Sequence, residues 1–168
     1  MLREAHRPMP AASSVPASAP SRTMGISGAL RVYIWKATGL RPAINKDSTS
    51  PYVKVSVGGH TEMTRPVQNN LDPCFDWEIV FLFANVHTVP SSDLLFEAVD
   101  WGVEGYNETL GNALLPLSAY QEDLIDGQTS GCILEFKDGQ ATPGQLYVSI
   151  KWEPSEQMVQ YQPLPPKT

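Results

Sequence analysis

The sequence has little cysteine: Cys74 and Cys132 are the two thiols among its 168 residues. Two cysteines in a chain of this length do not form a disulfide framework, and neither lies near a second thiol or a histidine at the spacing of a zinc site. The sequence therefore argues against a disulfide-stapled scaffold and against a cysteine zinc site. We expect both residues to be buried free thiols.

Long apolar runs are also absent. No stretch approaches the roughly 20 apolar residues that span a bilayer, and the first residues lack the apolar segment of a secretory signal. We therefore expect a cytoplasmic chain, with any membrane contact being peripheral.

A surplus of positive charge is missing as well, since the formal net charge is −6. The first 26 residues hold Arg3, Arg7 and Arg22 against Glu4, so the rest of the chain is more acidic than the total indicates. An acidic domain has no general attraction to nucleic acid or to an anionic leaflet. We therefore expect no nucleic-acid partner, and any anionic ligand would need a local cation.

Composition divides the chain into three parts. Residues 1–24 contain a segment rich in proline, alanine and serine with almost no bulky side chain to bury, which is typical of a disordered tail. Residues 155–168 contain several prolines near their end and are predicted to be flexible and extended. Residues 25–154 remain and are long enough for one folded domain.

Within residues 25–154, apolar and polar residues alternate, and glycine, proline, asparagine and aspartate separate short runs. This pattern predicts an all-β sandwich of eight antiparallel strands. No helix long enough to connect parallel strands is predicted, which argues against a parallel α/β fold. The predicted strands are 30–37, 52–57, 61–65, 75–83, 94–99, 109–115, 132–136 and 145–152, with a glycine turn at 58–59 and a brief helical turn at 117–124.

Short motifs occur in a fixed order along these strands and loops. They are Leu30-Arg31-Val32-Tyr33-Ile34, Ala37-Thr38-Gly39-Leu40, Ser50-Pro51-Tyr52-Val53-Lys54-Val55, Asn70-Leu71-Asp72-Pro73, Leu95-Phe96-Glu97-Ala98-Val99-Asp100 and Leu110-Gly111. In this order they resemble the C2 domain family, a β-sandwich that many peripheral proteins use to bind membranes. Because no strand is predicted before residue 30 and one follows at 145–152, the order is similar to the circularly permuted, type II topology of that family.

The resemblance also implies where calcium ligands would lie. In the family, two loops carry carboxylates that hold calcium, a cation that takes about six to eight oxygen ligands. In the third loop the first acid falls on Asp100 and the third on Glu108, whereas the second position is Gly102. In the first loop Ser50 stands where an aspartate is expected, and Asp47 is the nearest acid. The resemblance thus implies a weak or vestigial calcium site at Asp47, Asp100 and Glu108.

A membrane contact that does not use calcium needs another source of attraction between the domain and the lipids. The stretch 61–70 holds a single arginine, which does not make the basic patch by which some family members bind phosphoinositides. Apolar loop tips are the other source, and insertion of each side chain would contribute roughly 1.5 to 3 kcal/mol. The candidates are Ile44, Trp101, Val103 and Tyr106.

Two alternatives concern the side chains of these loops. Trp101 could instead fold back onto the sandwich, and Tyr106 could pack against a neighbouring loop. The cations of the first loop, Arg41 and Lys46, could touch lipid headgroups, but solvated loop cations are the default expectation.

The sequence favours a non-enzymatic C2 module for peripheral membrane targeting. His6, His60 and His87 are not positioned to serve a nucleophile or a metal, so neither an enzyme nor a small-molecule substrate is predicted. One alternative is a calcium-independent protein-interaction or scaffold domain, since an acidic surface would fit a basic protein partner. A second alternative is a calcium-dependent phospholipid-binding domain.

Overall fold

In a computed structural model the chain forms a β-sandwich, described over residues 26–86, 89–139 and 141–155. The described strands are β1 (Ile26–Thr38), β2 (Pro51–Val57), β3 (His60–Met63), β4 (Cys74–Val86), β5 (Asp93–Asp100), β6 (Glu108–Pro116), β7 (Ser130–Glu135) and β8 (Gln145–Pro154). The prediction of an all-β sandwich with eight antiparallel strands is confirmed. The predicted tails, residues 1–24 and 155–168, lie outside the described residues except for Ser155.

The strands form two four-stranded sheets, in the orders β4-β1-β8-β7 and β3-β2-β5-β6. Every pairing is antiparallel. The last strand lies between β1 and β7, so the two ends of the described chain share one sheet. The type II assignment stays a prediction.

The core lies between the two sheets and follows the alternation of the strands. In β1, Leu30, Val32 and Ile34 have no exposed surface, whereas Trp35 on the outer face is 46% exposed. The same inward positions recur in β5 with Leu94 and Phe96. The predicted inward face of the first strand is therefore confirmed.

The connections between strands carry the turn residues that the sequence predicted. Gly58 and Gly59 have φ of +53° and +85° and close the hairpin between β2 and β3, a conformation that favours glycine. The predicted helical turn is a 3-10 helix at Leu117–Tyr120 followed by α1 (Gln121–Ile125). No helix among the described residues is long and apolar enough to cross a membrane.

The two thiols are free, but the prediction that both are buried is wrong for Cys74. Cys74 begins β4 and is exposed, because its neighbour Phe75 takes the inward position and successive side chains point to opposite faces. Cys132 is partly buried in β7. Its burial raises the pKa of the thiol, partly offset by a hydrogen bond with Tyr120.

Candidate functional site

Three loops converge at one end of the sandwich. The first loop (residues 39–50) joins β1 to β2, the second (64–73) joins β3 to β4, and the third (101–107) joins β5 to β6. The amide of Trp101 donates to the carbonyl of Ser50 at 2.9 Å, and that of Asn70 donates to the carbonyl of Thr49 at 2.8 Å. Because these backbone bonds join all three segments, we call this region the loop end.

Asp100 is the best-buried carboxylate of the loop end. It is 1% exposed, and its Oδ1 accepts hydrogen bonds from the Thr49 hydroxyl and the Ser50 amide, each at 2.7 Å. The ammonium of Lys46 donates to its Oδ2 at 2.6 Å. Burial alone would raise the pKa of Asp100, but the bonds from Lys46, Ser50 and Thr49 outweigh burial and lower it. Asp100 is therefore held as a carboxylate whose charge is balanced by Lys46.

Glu108 lies directly across the sheet from Asp100 and also has a cation as its partner. The Arg41 guanidinium donates to Glu108 Oε1 at 2.5 Å, and the amide of Ile44 donates to Oε2 at 2.8 Å. Arg41 further donates to Asp138 at 2.9 Å and to the carbonyl of Thr109 at 2.9 Å. Arg41 thus ties the first loop to β6 and to the turn after β7.

Asp47, the third predicted calcium ligand, is exposed in the first loop. It lines a cleft at the loop end that also includes Lys46, Asp100, Trp101 and Val103. Within the described ranges, no group of three or more histidine, cysteine, aspartate and glutamate side chains is arranged to hold a metal ion. Asp100 and Glu108 each present their oxygens to a side-chain cation and to a backbone amide, whereas calcium takes about six to eight oxygen ligands.

The two positions that lack the family's acids have structural roles in this chain. A Cβ on Gly102 would lie 1.5 Å from the carbonyl oxygen of Tyr106, so the third loop has no room for a side chain there. The Ser50 hydroxyl accepts a hydrogen bond from the amide of Asn69 at 3.1 Å and so connects the first loop to the second. A side chain at position 102 would therefore disturb the third loop.

The predicted membrane contacts are the exposed apolar side chains of the loop end. Ile44 is 69% exposed, Val103 83% and Tyr106 84%. Trp101 is 52% exposed, and its ring meets that of Tyr52 edge to face, with 5.9 Å between centroids. Trp101 therefore leans on the sandwich with about half of its surface exposed, whereas Tyr106 does not pack against a neighbouring loop.

Sequence reasoning missed the role of the loop cations. Arg41 and Lys46 were expected to be solvated by default, whereas the structure pairs Arg41 with Glu108 and Lys46 with Asp100, although Lys46 remains 47% exposed. The sequence held one signal of this role: both cations lie in the first loop, where the family resemblance places acidic calcium ligands. On the outer face of the sandwich, Arg65 lies over the Trp77 ring and Lys54 lies 3.7 Å from Glu97, so these cations also have partners.

Comparison with known proteins places this geometry in a family context. The family model described as C2 domain matches residues 28–131. Arrestin domain-containing protein B of Dictyostelium discoideum is 31% identical over 101 residues, which are 60% of this chain and 16% of that protein. Myoferlin of Xenopus tropicalis is 32% identical over 92 residues, 51% of this chain and 5% of that protein. The chain thus spans a small part of the length of these curated relatives.

Solved structures share the fold. A C2 domain of plant extended synaptotagmin 1 superposes with a TM-score of 0.63 at 23% identity, over 76% of this chain and 95% of that one. Human GIVD cytosolic phospholipase A2 superposes with a TM-score of 0.64 at 17% identity, over 79% of this chain and 17% of that one. At these identities the likeness concerns the fold alone.

Proposed function

The chain belongs to the C2 domain family, and from this premise we propose that it is a non-enzymatic module that docks peripherally on phospholipid membranes through its loop end without calcium. The observation that carries this proposal is the ion pair between Lys46 and Asp100, at 2.6 Å. It supplies from within the chain the positive charge that calcium would bring.

Calcium independence follows from how the carboxylates are used. An incoming ion would have to displace Lys46 from Asp100 and Arg41 from Glu108 before it could gather oxygen ligands. Each displacement would leave a cation without its partner, and Gly102 offers no further carboxylate. The loop end is thus organised by its own cations, and a change in calcium concentration has nothing to switch.

Membrane attachment is supported by the exposed tips. Ile44, Val103 and Tyr106 are each more than two-thirds exposed at the same end of the sandwich. Burial of such side chains contributes roughly 1.5 to 3 kcal/mol each, enough together for weak and reversible attachment. Tryptophan and tyrosine also favour the interface between headgroups and acyl chains, which suits Trp101 and Tyr106.

The cytoplasmic side of a membrane is the proposed place of action. An exposed thiol at Cys74 and a partly buried one at Cys132, both free, fit a reducing compartment. The non-enzymatic part of the proposal is supported by the use of the loop-end carboxylates, which are engaged in ion pairs and backbone bonds rather than presented to a substrate.

Co-sedimentation with phospholipid vesicles in the presence of a chelator tests this proposal. We expect the full chain to bind. The double variant Val103→Ala with Tyr106→Ala should bind at least about tenfold more weakly. Both residues are more than 80% exposed, so the variant should keep its fold. A matched double variant, Leu82→Ala with Leu114→Ala, removes exposed apolar side chains from the sheets and should bind like the wild type. No binding with chelator, or equal loss in both variants, would contradict the proposal.

A protein-docking role is the second candidate, and a different surface favours it. Leu95, Leu114 and Ile133 are 40%, 55% and 59% exposed and line one groove where β6 approaches β7. Neighbouring exposed apolar side chains of this kind mark interaction surfaces. If the chain does not bind vesicles but binds a protein partner through this groove, the protein-docking role would be favoured over membrane docking.

A further inference from the structure

The cations of the two tip-bearing loops, the first and the third, are paired with carboxylates within the chain. Arg41 uses Nε for Asp138, one terminal nitrogen for Glu108 and the other for the carbonyl of Thr109. Lys46 is paired with Asp100. In ordinary anion-binding sites an arginine presents its nitrogens to the ligand in a bidentate fork. Here those nitrogens already serve protein oxygens.

The formal charge around the tips is negative. Residues 39–50 and 100–108 hold two cations against four carboxylates. These are Arg41 and Lys46 against Asp47, Asp100, Glu104 and Glu108. Asp47 is exposed and lines the same cleft as the apolar tip Val103, so it adds a negative charge to the surface of the loop end.

Two of the three remaining nearby cations are directed to aromatic rings. Arg65 of the second loop lies over the ring of Trp77 with 5.2 Å to the centroid. Lys36 lies 4.2 Å from the ring centroid of Trp35 on the outer face of a sheet. Lys137 is exposed and precedes Asp138, the residue that Arg41 contacts. None of these three cations belongs to the tip-bearing loops.

We infer that the loop end selects zwitterionic phosphocholine bilayers over anionic ones. This inference rests on the proposed function and names its lipid class. An anionic leaflet attracts free lysines and arginines near its surface and repels acidic groups. A phosphocholine surface has no net charge, and its quaternary ammonium suits both an exposed carboxylate and the face of a tryptophan ring. Asp47 and Trp101 both line one cleft and provide these two groups.

Salt dependence follows from the same charges. Attraction between basic residues and an anionic surface weakens as salt screens it, whereas apolar insertion does not. Attachment driven by Val103, Tyr106 and Ile44 should therefore persist at high ionic strength. On anionic vesicles, added salt should strengthen binding slightly, because it screens repulsion by the carboxylates.

Co-sedimentation of the full chain in chelator tests the inference with two kinds of vesicle, phosphatidylcholine alone and phosphatidylcholine containing phosphatidylserine, each at low and high NaCl. The variant Arg3→Gln with Arg7→Gln and Arg22→Gln runs in parallel, because these three arginines precede the described residues. We expect the variant to bind phosphatidylcholine vesicles more tightly than the mixed vesicles, and its binding to phosphatidylcholine to change less than about twofold on adding salt. Equal binding to the two kinds of vesicle would contradict the inference. A third protein, Asp47→Lys, should gain about fivefold in preference for the mixed vesicles.

The outcomes separate the inference from the proposed function. Binding of the arginine variant that needs phosphatidylserine and is lost in high salt would overturn the lipid preference and leave membrane docking intact. Absence of binding to either vesicle would overturn both. A preference for phosphatidylserine that appears in the wild type and disappears in the arginine variant supports the inference, since it traces the preference to residues outside the loop end.

Discussion

The ammonium of Lys46 lies 2.6 Å from Oδ2 of Asp100 and joins the first loop to the end of β5. Lys46 is about half exposed, whereas the Asp100 side chain is 2% exposed, so the pair spans the boundary between solvent and core. A carboxylate this deeply buried needs hydrogen bonds or a counterion to remain charged. Lys46 supplies the counterion, so residues of the chain itself hold the loop end together.

Removing the Lys46 ammonium should destabilise the fold. We expect Lys46→Met to lower the free energy of unfolding by about 1 to 2 kcal/mol, because Asp100 would keep its burial and lose its charged partner. Urea denaturation gives this value. The matched control is Lys151→Met, whose ion pair with Glu153 at 3.5 Å joins two side chains that are each 40% exposed. A change in the control as large as that in Lys46→Met would contradict a special role for Lys46.

The free energy of unfolding should depend on pH through the ionisation of Asp100. The folded state lowers its pKa below the ordinary 3.8, so its carboxylate stabilises the fold above that value. This contribution is lost as the pH falls through the lowered pKa. We therefore expect Asp100→Asn to be less stable than the wild type by a constant amount above about pH 5, and the gap to narrow below about pH 4. Urea melts across this range measure the gap, and the exposed Asp126→Asn serves as control.

Calcium should neither bind tightly nor stabilise the chain. We expect calorimetric titration to give no heat, and thermal melts with calcium and with chelator to coincide, up to about millimolar calcium. Lys46→Gln should behave in the same way, because releasing Asp100 leaves Gly102 without a carboxylate and without room for one. A micromolar, stabilising site in the wild type would show that Asp47, Asp100 and Glu108 can rearrange around the ion.

The first 24 residues should be dispensable for stability. The buried hydrophobic residues of the core run from Leu30 to Trp152, and β1 begins at Ile26. We expect a chain that begins at residue 25 to keep its melting temperature within a few degrees of the full chain. A chain that begins at residue 33 would lose Leu30 and Val32 from the core and should not fold. A large drop in melting temperature for the first truncation would contradict the predicted domain boundary.

Most of the fold could be predicted because strand alternation and turn chemistry are local properties of the sequence. Leu30, Val32 and Ile34 reveal the inward face of β1, and the glycine pair at 58–59 reveals the hairpin. Cys74 was misplaced although the alternation through Phe75 puts its side chain on the outer face of β4. The prediction followed the general tendency of cysteine side chains to be buried rather than the alternation of the strand.

The loop end was harder to predict, because its contacts join residues far apart in sequence. Arg41 meets Glu108 across 67 residues, and Lys46 meets Asp100 across 54. A charged loop residue is usually solvated, and nothing in its immediate neighbours shows which distant carboxylate it will find. The exposure of Tyr106 depends likewise on the path of the third loop, which brings the Tyr106 carbonyl against Gly102.

Tryptophan fluorescence tests the central claim most directly, because Trp101 lies at the loop end, whereas Trp152 is in the core and Trp35 and Trp77 belong to the strands of a sheet. The wild type and Trp101→Phe, which keeps an aromatic ring against Tyr52, would be titrated with phosphatidylcholine vesicles in the presence of chelator. Our account predicts a blue shift of the wild-type emission on vesicle binding and little or no shift in Trp101→Phe. A shift that needs calcium, that is equal in both proteins, or that does not occur would contradict calcium-free docking through the loop end.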